Sequence, residues 1–150
     1  MTKINEMRYT KIKTYGMIFA IVLVVNLLWE MGQSFLYAPH YQGLYEFIIV
    51  HVRASLGDVV IVGIGYLFGA MIFRDVRWVM QRNMWIFLYC VFVGCALAVL
   101  VEKLALAQGR WVYNSAMPLI PVAHVGLLPV MQMIILPIGM IFLARVFAHD

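Results

Sequence analysis

Three acidic residues, Glu30, Asp58 and Glu102, lie inside segments that are otherwise apolar enough to cross a lipid bilayer. A charged side chain near the middle of a membrane costs roughly 2.5–3.5 kcal/mol on insertion scales. Such residues usually face the interior of a helix bundle, where they find partners and carry function. The chain is therefore expected to be a membrane protein with a polar interior site.

The composition supports the membrane class. Hydrophobic residues make up 65% of the 150 residues and charged residues 12%, whereas soluble domains contain about 45–50% and about 25% of these classes. Four segments reach the roughly 20 apolar residues that cross a bilayer, and they cover residues 15–37, 45–73, 84–107 and 125–147. The prediction is an all-α, integral membrane four-helix bundle that forms a single domain over residues 1–150.

The distribution of basic residues predicts the orientation of the bundle. Lysine and arginine are concentrated before the first helix and between the second and third, and are absent from residues 38–44. Because cytoplasmic loops carry the excess of these residues, both termini are expected in the cytoplasm, as in a multi-pass protein of the cytoplasmic (inner) membrane. The net charge of +4 is therefore a signal of topology, and nucleic acid is not an expected partner.

Polar residues form a stripe along each of the first two helices. The stripes consist of Asn26, Glu30, Gln33 and Tyr37 on the first helix and of His51, Ser55 and Asp58 on the second. Spacings of three and four residues keep each set on one helix face. Hydrocarbon offers no hydrogen-bond partners, so both stripes are expected to face the interior of the bundle.

Glu102 and Gln132 extend this polar region to the third and fourth helices. In the predicted orientation all these groups lie in the outer leaflet half, and the inner half is almost entirely apolar. One interpretation is a functional cavity. The other is that polar side chains such as Asn26, Ser55 and Gln132 only join helices, at about 0.6 kcal/mol per hydrogen bond. A buried carboxyl group without a cationic partner is expected to keep its proton and to act as a proton donor.

The connection over residues 108–125 contains Pro118 and Pro121, which exclude a helix. Trp111 and Tyr113 suit the membrane interface. Two interpretations remain open, a stiff interfacial loop and a cap over the polar cavity. In the second, the side chains that reach inward are Arg110, Tyr113, Asn114 and His124.

Two further patterns concern helix packing. Pro129 and Pro137 flank Gln132 and are expected to interrupt the fourth helix on both sides, because proline removes the hydrogen bond to the carbonyl four residues earlier. Small residues spaced as Gly65-x-x-x-Gly69 and Gly94-x-x-x-Ala98 predict close contact between helices.

The acidic Glu102 near a helix end is followed by LALAQGRWVY at residues 104–113 and by PVMQ at residues 129–132. This order resembles the lycopene cyclase domain of small membrane carotenoid and terpenoid cyclases. That family has an acidic residue near a helix end, then an A-I-A-x-G-x-W-x-F passage and a P-[LI]-E-E-x-x-F helix. The resemblance implies a helical bundle whose cavity accepts long isoprenoid or lipid chains.

The paired glutamates of that family, its implied acid site, are replaced here by Val130 and Met131. A proton donor is then expected from Glu30, Asp58 or Glu102. The first hypothesis is an integral membrane enzyme, of isomerase or cyclase type, that acts on a membrane lipid or isoprenoid through buried carboxyl groups.

In this hypothesis Glu30 and Asp58 act as acid and base, His51 orients them or shuttles protons, and Glu102 is a further catalytic acid. The substrate-binding set consists of Asn26, Gln33, Tyr37, Ser55, Arg110, Trp111, Tyr113, Asn114 and Gln132. One alternative is a carboxylate–histidine metal site in the bundle, although Glu-x-x-His pairs are missing and no metal ligand is assigned. Another is a small carrier or an accessory subunit, which would need a second copy of the chain or a membrane-complex partner. No cofactor follows from the sequence.

Overall fold

The computed structural model describes the backbone of residues 3–39 and 41–147, and within these ranges the side chains from residue 16 onward. The basic side chains that precede the first span lie outside the described side chains. Four long helices form the structure: α1 Lys3–Gln33, α2 Gly43–Phe73, α3 Met84–Ala107 and α4 Leu127–Phe147. All four contain a span long and apolar enough to cross a membrane. The chain is an all-α, multi-pass membrane protein, as predicted.

The helix bounds agree closely with the sequence expectation. The third helix has the predicted limits, the second begins two residues earlier, and the first contains a membrane span over Gly16–Leu36 within a longer helical stretch. The fourth begins two residues later than predicted. The reason is a turn, in which the amide of Ile120 donates to the carbonyl of Val125 at 2.9 Å.

The four helices form a ring in chain order, because α1 packs against α2 and α4, and α3 packs against α4 and α2. Of the residues in the α4 span 33% are buried, against 6% in α2, so α4 is the most enclosed helix. Many large apolar side chains, among them Leu67 and Phe92, remain exposed on the outer surface. A lipid environment accounts for such a surface, which a soluble monomer rarely shows.

At the end of the bundle where α2 finishes and α3 begins, the core is aromatic. Trp78 is 2% exposed, and its ring lies so close to Gly69 that an added Cβ would be 2.4 Å from it. Arg145, near the end of α4, donates hydrogen bonds to the carbonyls of Val79 at 2.7 Å and Gln81 at 2.6 Å. The connection between α2 and α3 is thereby fixed to α4.

The prolines of α4 do not interrupt it, and in this the prediction is wrong. Pro129 is the third residue of the helix, where the backbone amide has no intrahelical acceptor in any case. Pro137 lies inside the helix and takes the usual hydrogen bond away from the carbonyl of Met133. Gly94 of α3 packs against that carbonyl, since an added Cβ would lie 2.5 Å from its oxygen. The close contact predicted around Gly94 is confirmed.

Candidate functional site

The site lies at the end of the bundle where α1 and α3 finish and α2 and α4 begin, which we call the polar end. Six side chains from three helices meet there, and we call them the polar cluster. They are Asn26, Glu30 and Gln33 of α1, Ser55 and Asp58 of α2, and Gln132 of α4. Four of them are almost completely buried, with exposed fractions of 1% to 3%. The polar stripes therefore turn inward, as membrane helices require.

The amide group of Gln132 is the centre of the polar cluster. Its Nε2 atom lies 2.8 Å from Oδ1 of Asn26, 2.6 Å from Oε1 of Glu30 and 3.0 Å from Oδ2 of Asp58. Its Oε1 atom accepts a hydrogen bond from Nε2 of Gln33 at 2.9 Å. One side chain of α4 thus connects to both α1 and α2.

Glu30 and Asp58 form a carboxyl pair, since the same amide nitrogen of Gln132 lies within hydrogen-bond distance of both side chains. Further donors are the amide of Asn26, 3.0 Å from Asp58, and the amide of Gln33, 3.1 Å from Glu30. Two ionised carboxylates on one amide nitrogen would repel each other, so this arrangement favours a single proton shared by the pair. No lysine or arginine of the described residues acts on either carboxyl group.

His51 lies beside the carboxyl pair and is 5% exposed. Its Nδ1 atom is 2.6 Å from the carbonyl oxygen of Phe47. A carbonyl can only accept, so Nδ1 carries a hydrogen and, in a neutral ring, Nε2 is left as an acceptor. The ring packs against Phe47 and Tyr41 and acts electrostatically on Glu30.

Glu102 belongs to a second group of polar side chains, formed with the loop between α3 and α4. Its Oε2 atom accepts hydrogen bonds from the hydroxyl of Tyr113 and from Nε1 of Trp111, the latter at 3.3 Å. The Tyr113 hydroxyl in turn accepts from the amide of Gly126 at 2.8 Å. Electrostatic interactions connect Glu102 to both carboxyl groups of the pair. The three acids therefore share one end of the bundle, with Glu102 held separately.

Two tyrosines next to Glu102 keep their phenolic protons. Burial raises the pKa of Tyr37, and the nearby carboxyl groups of Glu102 and Glu30 raise it further. Burial also raises the pKa of Tyr113, to which the hydrogen bond with Glu102 adds. The ring of Tyr37 lies 5.6 Å from that of Tyr113. Both phenols are therefore neutral, and that of Tyr113 donates its hydrogen to Glu102.

The loop after α3 is fastened to the end of α1, which favours its interpretation as a cap. The amide of Ala38 donates to the carbonyl of Val112, and the amide of Asn114 donates to the carbonyl of Leu36, both at 2.8 Å. The side-chain amide of Asn114 also donates to the carbonyl of Phe35 at 3.3 Å. Residues on both sides of Tyr113 are thereby held across the polar end.

Most of the side chains singled out in the sequence reach the polar end, but three of the loop residues do not point into it. Arg110 is exposed and lies 5.5 Å above the ring of Trp111. Asn114 is exposed and contacts only backbone and loop groups. His124 is exposed in a left-handed turn with φ of 53°. Of the predicted inward-reaching set, Tyr113 alone contacts a carboxyl group.

A cavity of about 320 Å³ leads away from the polar cluster between α1, α2 and α4. The polar part of its wall consists of Asn26, Asp58 and Gln132, and the rest of the wall is apolar except for Tyr66. Phe19 and Gly63 line it and are exposed, so the cavity reaches the lipid-facing surface. Sequence reasoning did not identify its lining, because these apolar side chains resemble those that face lipid.

Among the side chains that the structure describes, three buried polar atoms have no hydrogen-bond partner: Nε1 of Trp29, Oε1 of Gln33 and Oγ of Ser55. A buried polar group left unpaired costs about 1–3 kcal/mol, and such groups in native proteins call for an explanation such as a bound molecule. Trp29 was not singled out in the sequence. Its position four residues before Gln33 places it on the same helix face, which is the signal that would have found it.

Within the described residues, no three His, Cys, Asp or Glu side chains come together in a way that would hold a metal ion. The carboxylate–histidine hypothesis therefore has no ligand set among them. Comparison with known proteins gives no match: the chain fits no family model, and no curated protein or solved structure is similar to it.

Proposed function

We propose that this protein is an integral membrane enzyme that isomerises or cyclises a lipidic, isoprenoid-like substrate by proton transfer. The observation that carries the proposal is the pair of Glu30 and Asp58, which the Gln132 amide holds together beside an apolar cavity. Paired carboxyl groups in a water-poor site are a recurrent device for acid–base chemistry.

The proposed reaction uses the two carboxyl groups in sequence. The protonated member donates its proton to one carbon of a substrate double bond, so a C–H bond forms and the π bond breaks. The ionised member then removes a proton from a neighbouring carbon, and the electrons of that C–H bond form a new π bond. The proton then passes from the second carboxyl group to the first within the pair, so no external proton is consumed.

The surroundings supply the other requirements of such an enzyme. Gln132 and Asn26 hold the carboxyl pair in place through hydrogen bonds of 2.6–3.0 Å. The cavity provides an apolar space that opens to lipid between α1 and α2. Glu102, Trp111 and Tyr113 fasten the loop that covers the polar end. The partial resemblance to lycopene cyclase domains supports an isoprenoid as the substrate class.

The proposal includes a location in the cytoplasmic (inner) membrane, with both termini in the cytoplasm and the polar end toward the outer leaflet. The arginines of the connection between α2 and α3 support this orientation. Membrane-impermeant labelling of single cysteines checks it. A cysteine at Arg110 should react from outside the cell and one at Arg77 only after the membrane is opened, and the reverse pattern would exclude this orientation.

The catalytic assignment is tested with Glu30→Gln and Asp58→Asn, which keep the shape of each side chain but cannot transfer a carboxyl proton. Membrane lipids from cells that contain each variant are compared by chromatography and mass spectrometry. We expect the lipid product formed with the wild-type chain to fall by at least about 100-fold in both variants, the usual contribution of a general acid or base.

The matched control is Glu46→Gln, which removes an exposed acid in the first turn of α2. It should leave product formation unchanged. Thermal unfolding of the purified variants shows whether they are folded. Unchanged product levels in folded Glu30→Gln and Asp58→Asn proteins would refute the assignment, and a wild-type chain that alters no lipid would favour the carrier or accessory-subunit alternative.

A further inference from the structure

The electrostatic character of the polar cluster restricts the headgroup of any lipid that binds there. The cluster contains two carboxyl groups, Glu102 adds a third nearby, and within the described residues no lysine or arginine forms a salt bridge with them. A carboxylate or phosphate headgroup would meet this negative site without a compensating cation, which is costly in a medium of low dielectric constant. Anionic lipids are therefore disfavoured.

The hydrogen-bonding character of the polar cluster restricts the headgroup further. The amides of Asn26, Gln33 and Gln132 supply two N–H donors each, but the three amide oxygens and four carboxyl oxygens offer more acceptor positions than these donors fill. One acceptor, Oε1 of Gln33, is buried without a partner. The cluster thus favours a ligand that donates a hydrogen bond.

A second unpaired group of the polar cluster lies behind the cavity wall, one helical turn from the wall residue Asp58. Ser55 is 1% exposed and its hydroxyl has no partner. It precedes Asp58 by one helical turn on the same face, and its carbonyl oxygen is 3.4 Å from the side-chain amide of Asn26. A hydroxyl group is both donor and acceptor, so Ser55 can bind a ligand that has the same two capacities.

We infer that the ligand of this site is an uncharged lipid alcohol, whose hydroxyl binds at the polar cluster and whose hydrocarbon chain fills the cavity. The inference rests on the proposed function, for which it names the substrate class. The cavity volume of about 320 Å³ lies within the range of about 300–1,000 Å³ for ligand pockets, and it accommodates a short isoprenoid alcohol such as geraniol.

The experiment uses the full chain in lipid nanodiscs and a geraniol analogue that carries a photoactivatable diazirine in its tail. After illumination, mass spectrometry should locate cross-links on cavity residues such as Leu23, Val62 and Met140. Geraniol should compete for these cross-links. Its methyl ether, which cannot donate, should compete at least about tenfold more weakly, and geranate, which is anionic, should not compete.

A variant that fills the cavity provides the structural control. A side chain added at Gly63 enters open space on the cavity wall, and one at Gly57 enters open space outside it. Gly63→Phe should abolish the cross-links and Gly57→Phe should preserve them. Competition by geranate equal to that of geraniol, or cross-links that persist in Gly63→Phe, would overturn the inference.

Chemical analysis of the lipids in the same samples distinguishes a failure of this inference from a failure of the proposed function. Bound alcohol that is recovered chemically unchanged, with the expected competition pattern, would support the ligand class and count against the enzyme. Product formation from a carboxylate lipid that depends on Glu30 and Asp58 would support the enzyme and overturn the ligand class.

Discussion

The side chain of Gln132 shows why the polar end is built mainly from amides. An amide carries both donors and acceptors, so it can hold two carboxyl groups and still accept a hydrogen bond from Gln33. A lysine or arginine in the same place would neutralise the carboxyl pair and remove its ability to exchange a proton. The amide therefore fixes the positions of Glu30 and Asp58 without adding a charge that would neutralise them.

The tyrosines next to Glu102 give a prediction on pH dependence. The pKa values of Tyr37 and Tyr113 lie above the ordinary value in the folded state. Their contribution to stability is therefore complete below about pH 10, the ordinary value, and is lost as the pH rises toward the folded-state values. In an alkaline absorbance titration of the eight tyrosines, Tyr37→Phe and Tyr113→Phe should each remove one late-ionising group.

The absorbance change of the tyrosines that ionise early should be the same in both variants and in the wild-type chain. This early phase is the internal control. If either substitution reduced the early phase instead, the phenol it removes would not be held neutral by the fold. The fastening of the loop through Tyr113 would then have no support.

Among the helices, α3 and α4 approach each other most tightly at Gly94, where a glycine leaves room for the carbonyl of Met133. Pro137 leaves the carbonyl of Met133 without its intrahelical donor, and Gly94 allows α3 to approach this carbonyl. Such close approach also permits weak Cα–H···O contacts between helices. Since Met133 and Pro137 also line the cavity, this contact helps to define its shape.

Gly94→Ala should therefore destabilise the bundle. The added Cβ would lie 2.5 Å from the Met133 carbonyl oxygen, and overpacking of this kind typically costs about 1–3 kcal/mol. Gly57→Ala is the matched control, because nothing lies within 4 Å of its added Cβ. Unfolding in mixed micelles measures both variants. Equal stability of the two would show that the helices are not in contact at Gly94.

For the molecule as a whole, the membrane spans and the polar end could be predicted from the sequence. Spans are set by length and hydropathy, which are local properties of the chain. The spacing of Asn26, Glu30 and Gln33 predicted one polar face because helical geometry is regular. Their convergence with Asp58 followed from the absence of hydrogen-bond partners in lipid.

The remaining features depend on contacts between distant parts of the chain. Nothing in the pattern around Gln132 indicates that it contacts α1 and α2 together, or that Tyr113 rather than Arg110 would reach Glu102. The apolar wall of the cavity is also invisible in the sequence, since core-facing and lipid-facing residues have the same composition. The predicted interruption at Pro129 was wrong because the effect of a proline depends on its position within the helix. The sequence defines the start of the helix only to within a few residues.

Glu30 and Asp58 are held together by the amide of Gln132, and a double-mutant cycle on the free energy of unfolding measures whether the two side chains act as a pair. Glu30→Gln, Asp58→Asn and the double variant are compared with the wild-type chain. Side chains in contact show coupling energies of about 0.5–3 kcal/mol, whereas separate sites are additive within about 0.3–0.5 kcal/mol. We expect a coupling energy of about 0.5–3 kcal/mol between Glu30 and Asp58. Additive effects of the two substitutions would show that the side chains do not interact.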